Sequence, residues 1–397
     1  MNSIQKKETN INNLLYCFSV SVLIFLYTLN IVGRYEIISY LFLTIAVLQI
    51  FFGRTICRSW QTLFIAALFI LYAFVAHDVN GENKLPLLFQ CLIFYIVGMR
   101  LSRYSVEHEN RNIVFQTVFW GCCGFVIHTI LTVATSSITT DRRLTDFSDG
   151  YLVAATQLIA WCVCFFAILP WSALRWKSLL LIEKISVFVF TILAVAASLK
   201  VSSRTGVIVF AVAIIILLIW SLWSRRIKLF TGVAVILTAA VIAYINDIAG
   251  FKTALLTSNL ANRLATENDG LFNSPRFARW QYLFSHFTDY MWGGYHYSNQ
   301  FGGQLHNVIF DLYDECGIAV TILFILVLIR LIYGMVRLIT KRKDVFPDNV
   351  GIVLWFVIIG FVLFSEPVWN YGRYMFIAFW FFMLGTVEYQ AFFAPAD

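Results

Sequence analysis

Long, continuous apolar runs dominate this chain, with short polar stretches between them. Twelve of the runs are long enough, or nearly so, to predict membrane-crossing helices. They lie at about 14–32, 37–53, 60–76, 85–100, 113–133, 151–169, 185–199, 205–223, 229–246, 306–329, 350–364 and 374–392. The runs at 185–199 and 350–364 are short and are expected to extend into their flanks. The run at 306–329 opens with polar residues and predicts a partial or bent helix. Nowhere do apolar and polar positions alternate in blocks of about ten, as in the strands of an outer-membrane barrel. No internal repeat and no Pro- or Gly-rich linker divides the chain. The pattern predicts an all-α polytopic membrane protein with about twelve transmembrane helices. Residues 1–397 form a single transmembrane domain, and 247–304 is one large external insertion within it.

Composition narrows the class further. Of the residues 60% are hydrophobic and only 13% charged, against roughly 25% charged in a soluble domain. That excludes a soluble enzyme, a disordered scaffold and a disulfide-stapled secreted domain. The net charge of +7 belongs to topology signals in loops, so no nucleic-acid partner is expected. The eight cysteines fall in or beside apolar runs, and the 247–304 stretch has none. No disulfide and no thiolate metal site is predicted. The polar stretch Met1 to Asn13 lacks a cleavable signal pattern, so the first run is expected to remain as an anchor.

Positive charge sets the orientation. With the N-terminus inside, most of the 29 Lys and Arg residues fall in short cytoplasmic loops, among them Lys6, Lys7, Arg54, Arg58, Arg175, Lys177, Arg225, Arg226, Lys341, Arg342 and Lys343. Both termini are then cytoplasmic, and 247–304 lies outside, in the periplasm of a Gram-negative inner membrane. The external basic residues include Arg143, Lys200, Arg204, Arg276 and Arg279. Long translocated loops tolerate such charges. Arg204 also fits an anion site, because it opens a helix in Ser202-Ser203-Arg204-Thr205-Gly206 and adds its charge to free backbone N–H groups. An arginine snorkelling to the interface is the plainer alternative.

The densest chemistry lies in Gln304-Leu305-His306-Asn307-Val308-Ile309-Phe310-Asp311-Leu312-Tyr313-Asp314-Glu315-Cys316-Gly317. Read as a helix, His306, Phe310, Tyr313 and Gly317 share a face. Asp311, Asp314 and Glu315 at a membrane boundary are costly unless hydrated, paired or used. Glu366, in Ser365-Glu366-Pro367, is external and a candidate second carboxylate of the same cavity. His286 and His296 sit in an aromatic stretch that fits either sugar stacking or loop packing. His128 reads as a satisfied imidazole buried in the fifth span.

His306-Asn307, Glu315 nine positions after the histidine and Gly317 eleven after resemble the signature of the O-antigen ligase and polymerase superfamily. Val320 stands where that family often has a second glycine, which fits a variation in helix packing. Three further stretches resemble the family in order: Arg143-Leu144-Thr145 before Asp149-Gly150, Ser203-Arg204-Thr205-Gly206, and Ser274-Pro275-Arg276-Phe277-Ala278-Arg279-Trp280 followed by Gly293-Gly294. The likeness covers roughly residues 140–325.

The resemblance implies a GT-C-type membrane glycosyltransferase acting on a glycan carried by undecaprenyl diphosphate. The acceptor would be a sugar hydroxyl on the lipid A core or on a second lipid-linked glycan. His306 is then the expected general base, with Arg204 and Arg276 stabilising the diphosphate leaving group. Arg143, Arg279, Asn307 and Glu315 are expected to bind substrate, Asn307 or Glu315 by orienting the imidazole. No cofactor and no metal is expected, since arginines can supply the positive charge. O-antigen ligase is the leading expectation. A polysaccharide polymerase using the same donor is the alternative, and a transporter or flippase is the reading from another class.

Overall fold

The computed structural model describes residues 18–31, 33, 37–38, 40–41, 60–75, 85–107, 112–136, 143–201, 203–223, 227–248, 251–256, 275–341, 346–369 and 375–394. Most of the 37–53 run lies outside them, as do Ser202 and Ser274. The described chain is almost wholly helical. In order come α1 (Phe18–Leu29), α2 (Trp60–Val75), α3 (Leu85–Glu107), α4 (Asn112–Thr135), the ribbon β1 (Arg143–Thr145) and β2 (Leu152–Ala154), α5 (Ala155–Leu174), α6 (Leu181–Lys200), α7 (Arg204–Trp223), α8 (Ile227–Ile245), α9 (Phe251–Leu256), α10 (Pro275–Ser285), α11 (His296–Phe301), α12 (Val308–Lys341), α13 (Phe346–Leu363) and α14 (Met375–Glu388). Among the described residues, six helices are long and apolar enough to cross a membrane, namely α4 to α7, α12, and α14 with the turn after it.

One helix organises the core. The apolar stretch of α5 is buried throughout, whereas little of α6 or α7 is. Around α5 pack α4, α6, α7 and α13. The outward faces of α6 and α7 carry exposed Ile182, Ile185, Phe188, Ile192, Ile208, Ile215 and Ile219, as lipid-facing helices require. Elsewhere α3 and α14 touch backbone to backbone. A Cβ on Gly98 would lie 2.0 Å from the Phe382 carbonyl oxygen, and one on Gly385 2.0 Å from that of Tyr95. Small residues permit this approach where apolar surface alone gives no preference between helix and lipid.

Polar contacts tie the bundle at both ends. At one end Arg175 Nη1 meets Asp348 Oδ1 at 2.5 Å, and Trp171 Nε1 donates to the same oxygen at 3.0 Å. At the other end β1 and β2 form an antiparallel ribbon pairing Arg143 with Ala154 and Thr145 with Leu152. Asp146, in its turn, is buried and faces His128 Nε2 at 2.9 Å. The other ring nitrogen, Nδ1, faces the Leu29 carbonyl oxygen at 2.8 Å. His128 thus joins α1, α4 and the ribbon, as a satisfied buried imidazole.

The helix expected to carry His306 departs from the reading above. His306 precedes α12, in left-handed backbone at φ 60°, so it shares no helix face with Phe310 and Tyr313. Gly317, at φ 79°, breaks α12 internally. The segment 291–295 fills the break: Gly294 N donates to the Glu315 carbonyl, Tyr295 N to that of Asp314, and Ile318 N to that of Met291. The polar start of this run therefore gives a bent helix, and its cause is a loop inserted into the ladder.

Candidate active site

Four separated segments meet at the ribbon end of the bundle. The first is the start of α7. Ser203 Oγ accepts from Gly206 N at 3.0 Å, as an N-cap does. Gly206 lets α7 approach Ser198, whose Oγ would lie 2.8 Å from an added Cβ. Between them, the Thr205 hydroxyl donates to Glu366 Oε1. Ser203, Thr205 and Gly206 thus have distinct tasks, and Arg204 occupies the first turn beside Thr205.

The second segment is α10. Arg276 Nη1 donates to the Ser365 carbonyl at 2.8 Å, and its Nη2 lies 3.7 Å from Glu366 Oε2. One turn on, Arg279 Nη1 donates to the Gln304 carbonyl at 2.5 Å, and Trp280 Nε1 to that of Leu305 at 2.7 Å. These two bonds hold the backbone just before His306. Gly303 leaves the room, since a Cβ there would lie 3.1 Å from the Arg279 guanidinium.

The third segment is the loop into α12. Leu305 N donates to buried Asp311 Oδ1 at 2.8 Å, and Asn307 Oδ1 accepts from Ile309 N at 3.0 Å, capping the helix. Asn307 Nδ2 reaches the Phe364 carbonyl at 3.5 Å. Between these two anchors His306 is held in its left-handed conformation, a kind of strain that concentrates at functional sites. The fourth segment follows α13 and supplies Ser365 and Glu366. Glu366 is nearly buried, and its Oε2 lies 3.7 Å from His306 Nδ1. That is a charge contact, longer than a hydrogen bond.

Electrostatics give the pair defined states. Burial pushes His306 below the ordinary histidine value, the Arg276 and Arg279 charges add to the shift, and Glu366 opposes it. Burial alone would raise Glu366, but His306, Arg276 and Thr205 outweigh it and hold the carboxyl below its ordinary value. Near neutral pH the imidazole is therefore uncharged and the carboxylate ionised. A neutral imidazole with Nδ1–H turned to a carboxylate leaves its Nε2 lone pair able to take a proton. The His306 side chain keeps 22% exposure, so its ring is reachable.

Of the residues singled out by sequence, His306, Arg276, Arg279 and Asn307 come together here, with Arg204 one residue from the Glu366 contact. Arg143 is exposed on β1, in the ribbon at this end of the bundle. Glu315 is buried and accepts the Tyr72 hydroxyl bond at 2.8 Å, which ties α2 to α12. Neither Glu315 nor Asn307 faces the imidazole; Glu366 does. Thr205 is the residue inserted between Arg and Gly of the Ser-Arg-Gly pattern, and its contact with Glu366 has no signal in the sequence beyond a hydroxyl next to an arginine at a helix start. Among the described residues, no group of three His, Cys, Asp or Glu side chains gathers as a metal site.

No family model matches this chain, and neither does any curated protein.

Proposed function

We propose that this chain is a membrane glycosyltransferase that moves a glycan from undecaprenyl diphosphate to a sugar hydroxyl. In its most specific form it is an O-antigen ligase acting on the lipid A core. The fold would be GT-C-type, with about twelve spans, both termini cytoplasmic and the site facing the periplasm of an inner membrane. One observation carries the reading. Three of the stretches that resemble the ligase and polymerase superfamily meet at one bundle end, around a neutral histidine, an ionised glutamate and arginines.

The chemistry follows from those states. His306 Nε2 takes the proton from the acceptor hydroxyl as its oxygen attacks the anomeric carbon of the donor sugar. The bond from that carbon to the diphosphate oxygen breaks, and negative charge grows on the leaving diphosphate. Arg276 and Arg204 supply the positive charge there, with planar N–H forks suited to phosphate oxygens. Glu366 fixes the tautomer of His306 and stabilises the imidazolium as it forms. Arg279 places the His306 backbone.

The test is a lipopolysaccharide gel from cells lacking the protein. Loss of the whole ladder, with long glycan accumulating on undecaprenyl diphosphate, is expected, and a His306→Ala copy should not restore it. A core bearing a single repeat would make the protein a polymerase instead. An unchanged ladder would end the reading for this glycan and leave another polysaccharide pathway or a transporter.

A further inference from the structure

The break in α12 carries a second consequence, independent of any transfer reaction. Below Gly317 one face of α12 is exposed and apolar: Ile322, Ile329, Ile332, Tyr333, Val336 and Ile339. Their spacing follows the helical period, so they form a single stripe. From Ile318 to Ile339 the helix rises about 32 Å at 1.5 Å per residue, close to the ~30 Å of a bilayer's hydrocarbon. In the sequence the stripe is followed by Lys341-Arg342-Lys343, a basic run of the kind found at a membrane edge. Its other end is Gly317.

At that level the inserted loop presents Trp292, 80% exposed. A Cβ on Gly317 would lie 2.8 Å from the Trp292 Cα, so the loop backbone meets α12 at the break, beside Ile318, which packs against the cluster of Tyr290, Phe310 and Tyr313. Exposed Phe284, Phe287 and Met291 accompany it. Phe287 stacks on Tyr313 with centroids 4.5 Å apart, and Phe284 meets Phe310 edge-on at 5.5 Å. Ser285, Thr288 and Asp289 are exposed between the apolar residues. That mixture of rings and polar groups suits the headgroup layer and not the hydrocarbon interior.

We propose that Trp292, with Met291, Phe287 and Phe284, seats in the headgroup–acyl boundary of the leaflet on the site side, and that Gly317 marks the hydrocarbon edge. The continuity of this shelf with the lipid-facing stripe selects lipid as its occupant. Val308–Cys316, about 14 Å of helix, then stands above the hydrocarbon. Asp311, Asp314 and Glu315 lie in that part, clear of the bilayer interior where carboxylates are costly.

Tryptophan quenching tests this without any activity assay. The full-length protein and its Trp292→Phe variant are placed in phosphatidylcholine–phosphatidylglycerol nanodiscs. The lipids are brominated either near the glycerol or near the chain ends. The variant is expected to lose a component quenched by the shallow bromines and to keep its quenching by the deep ones. Adding Phe284→Trp to that variant should restore shallow quenching from a second point on the shelf. If wild type and variant quench alike in both lipids, and the variant instead loses acrylamide quenching, the shelf faces water or another protein and the proposal fails. A lost component quenched by the deep bromines would put Trp292 inside the hydrocarbon and overturn the boundary at Gly317.

Discussion

Glu366 Oε2 lies 3.7 Å from His306 Nδ1, and the same oxygen lies 3.7 Å from Arg276 Nη2. One buried carboxylate thus faces both the candidate base and a candidate phosphate ligand. Its other oxygen takes the Thr205 hydroxyl. Three of the four segments of the site converge on this side chain.

Glu366→Gln should slow transfer and shift its pH profile. Glu366 opposes the other influences on His306, which push its pKa down. Removing the carboxylate charge lowers that pKa further and weakens the base. The acid limb of the kcat/KM profile should move to lower pH, with the plateau falling by about 10–100-fold, less than the roughly 10²–10⁴-fold of losing a general base outright. A limb that stays in place would separate Glu366 from the imidazole. Stability has the same sign. Both groups titrate lower in the folded protein, so each binds fewer protons folded than unfolded. Their contribution is intact above the ordinary histidine value of 6.5. It falls as pH drops from there through the lowered His306 value, and again through the lowered Glu366 value.

Ser203 and Thr205 should separate stability from function, although they are neighbours. Ser203→Ala removes the N-cap of α7 and should cost about 1 kcal/mol of stability while largely sparing transfer. Thr205→Val keeps the shape and removes the donor to Glu366. It should cost a similar amount, about 1 kcal/mol, and also reduce transfer several-fold. Thermal unfolding in detergent and transfer rates, measured on both variants, check the split. Equal losses of rate would remove the assigned role of Thr205.

The sequence was most legible where burial alone decides. The 113–133 run is α4 at Asn112–Thr135, and the 205–223 run is α7 at Arg204–Trp223. Helices reach past the apolar runs where polar residues are paired. The 185–199 run extends into its flank as expected, to Leu181, where Glu183 accepts the Leu180 N–H at 2.8 Å. The 306–329 run continues to Lys341, since Arg330 is matched by Glu388 at 3.0 Å. At the site, His306, Arg276 and Asn307 were visible as residue types at a membrane edge. Glu366 was visible as a candidate for the same cavity, but its contacts with Thr205, Arg276 and His306 were not, because they join distant segments. The β ribbon was hidden as well. Three-residue strands give no period, and Asp146 gains its meaning only from His128.

His128→Ala should destabilise the ribbon more than the bundle. The substitution leaves Asp146 buried without the partner that faces it at 2.9 Å. Breaking a buried pair in this way costs about 3–5 kcal/mol. Asp146 also holds the turn, accepting from Ser148 N at 2.8 Å and Ser148 Oγ at 2.6 Å. Limited proteolysis should therefore cut first near residues 143–154. Cleavage that begins elsewhere, with the ribbon still protected, would count against this account.

Gly317→Ala and Gly293→Ala should each be strongly destabilising, and together cost less than their sum. A Cβ on Gly317 would lie 2.4 Å from the Met291 carbonyl oxygen, and one on Gly293 would lie 2.5 Å from that of Glu315. Both glycines have φ 79°, where a side chain adds about 1–2 kcal/mol of strain. Either change pushes the loop out of the break. That releases the N–H donors of Gly294 and Tyr295 from the carbonyls of α12, so the second change has less to disrupt. A double-mutant cycle by thermal unfolding in detergent should give a coupling of about 0.5–3 kcal/mol. Transfer should fall with the first substitution alone, because the displaced loop leads through α11 to Gly303 and the backbone that Arg279 and Trp280 hold before His306. Additive effects on stability would mean that the loop and the helix break do not form one unit.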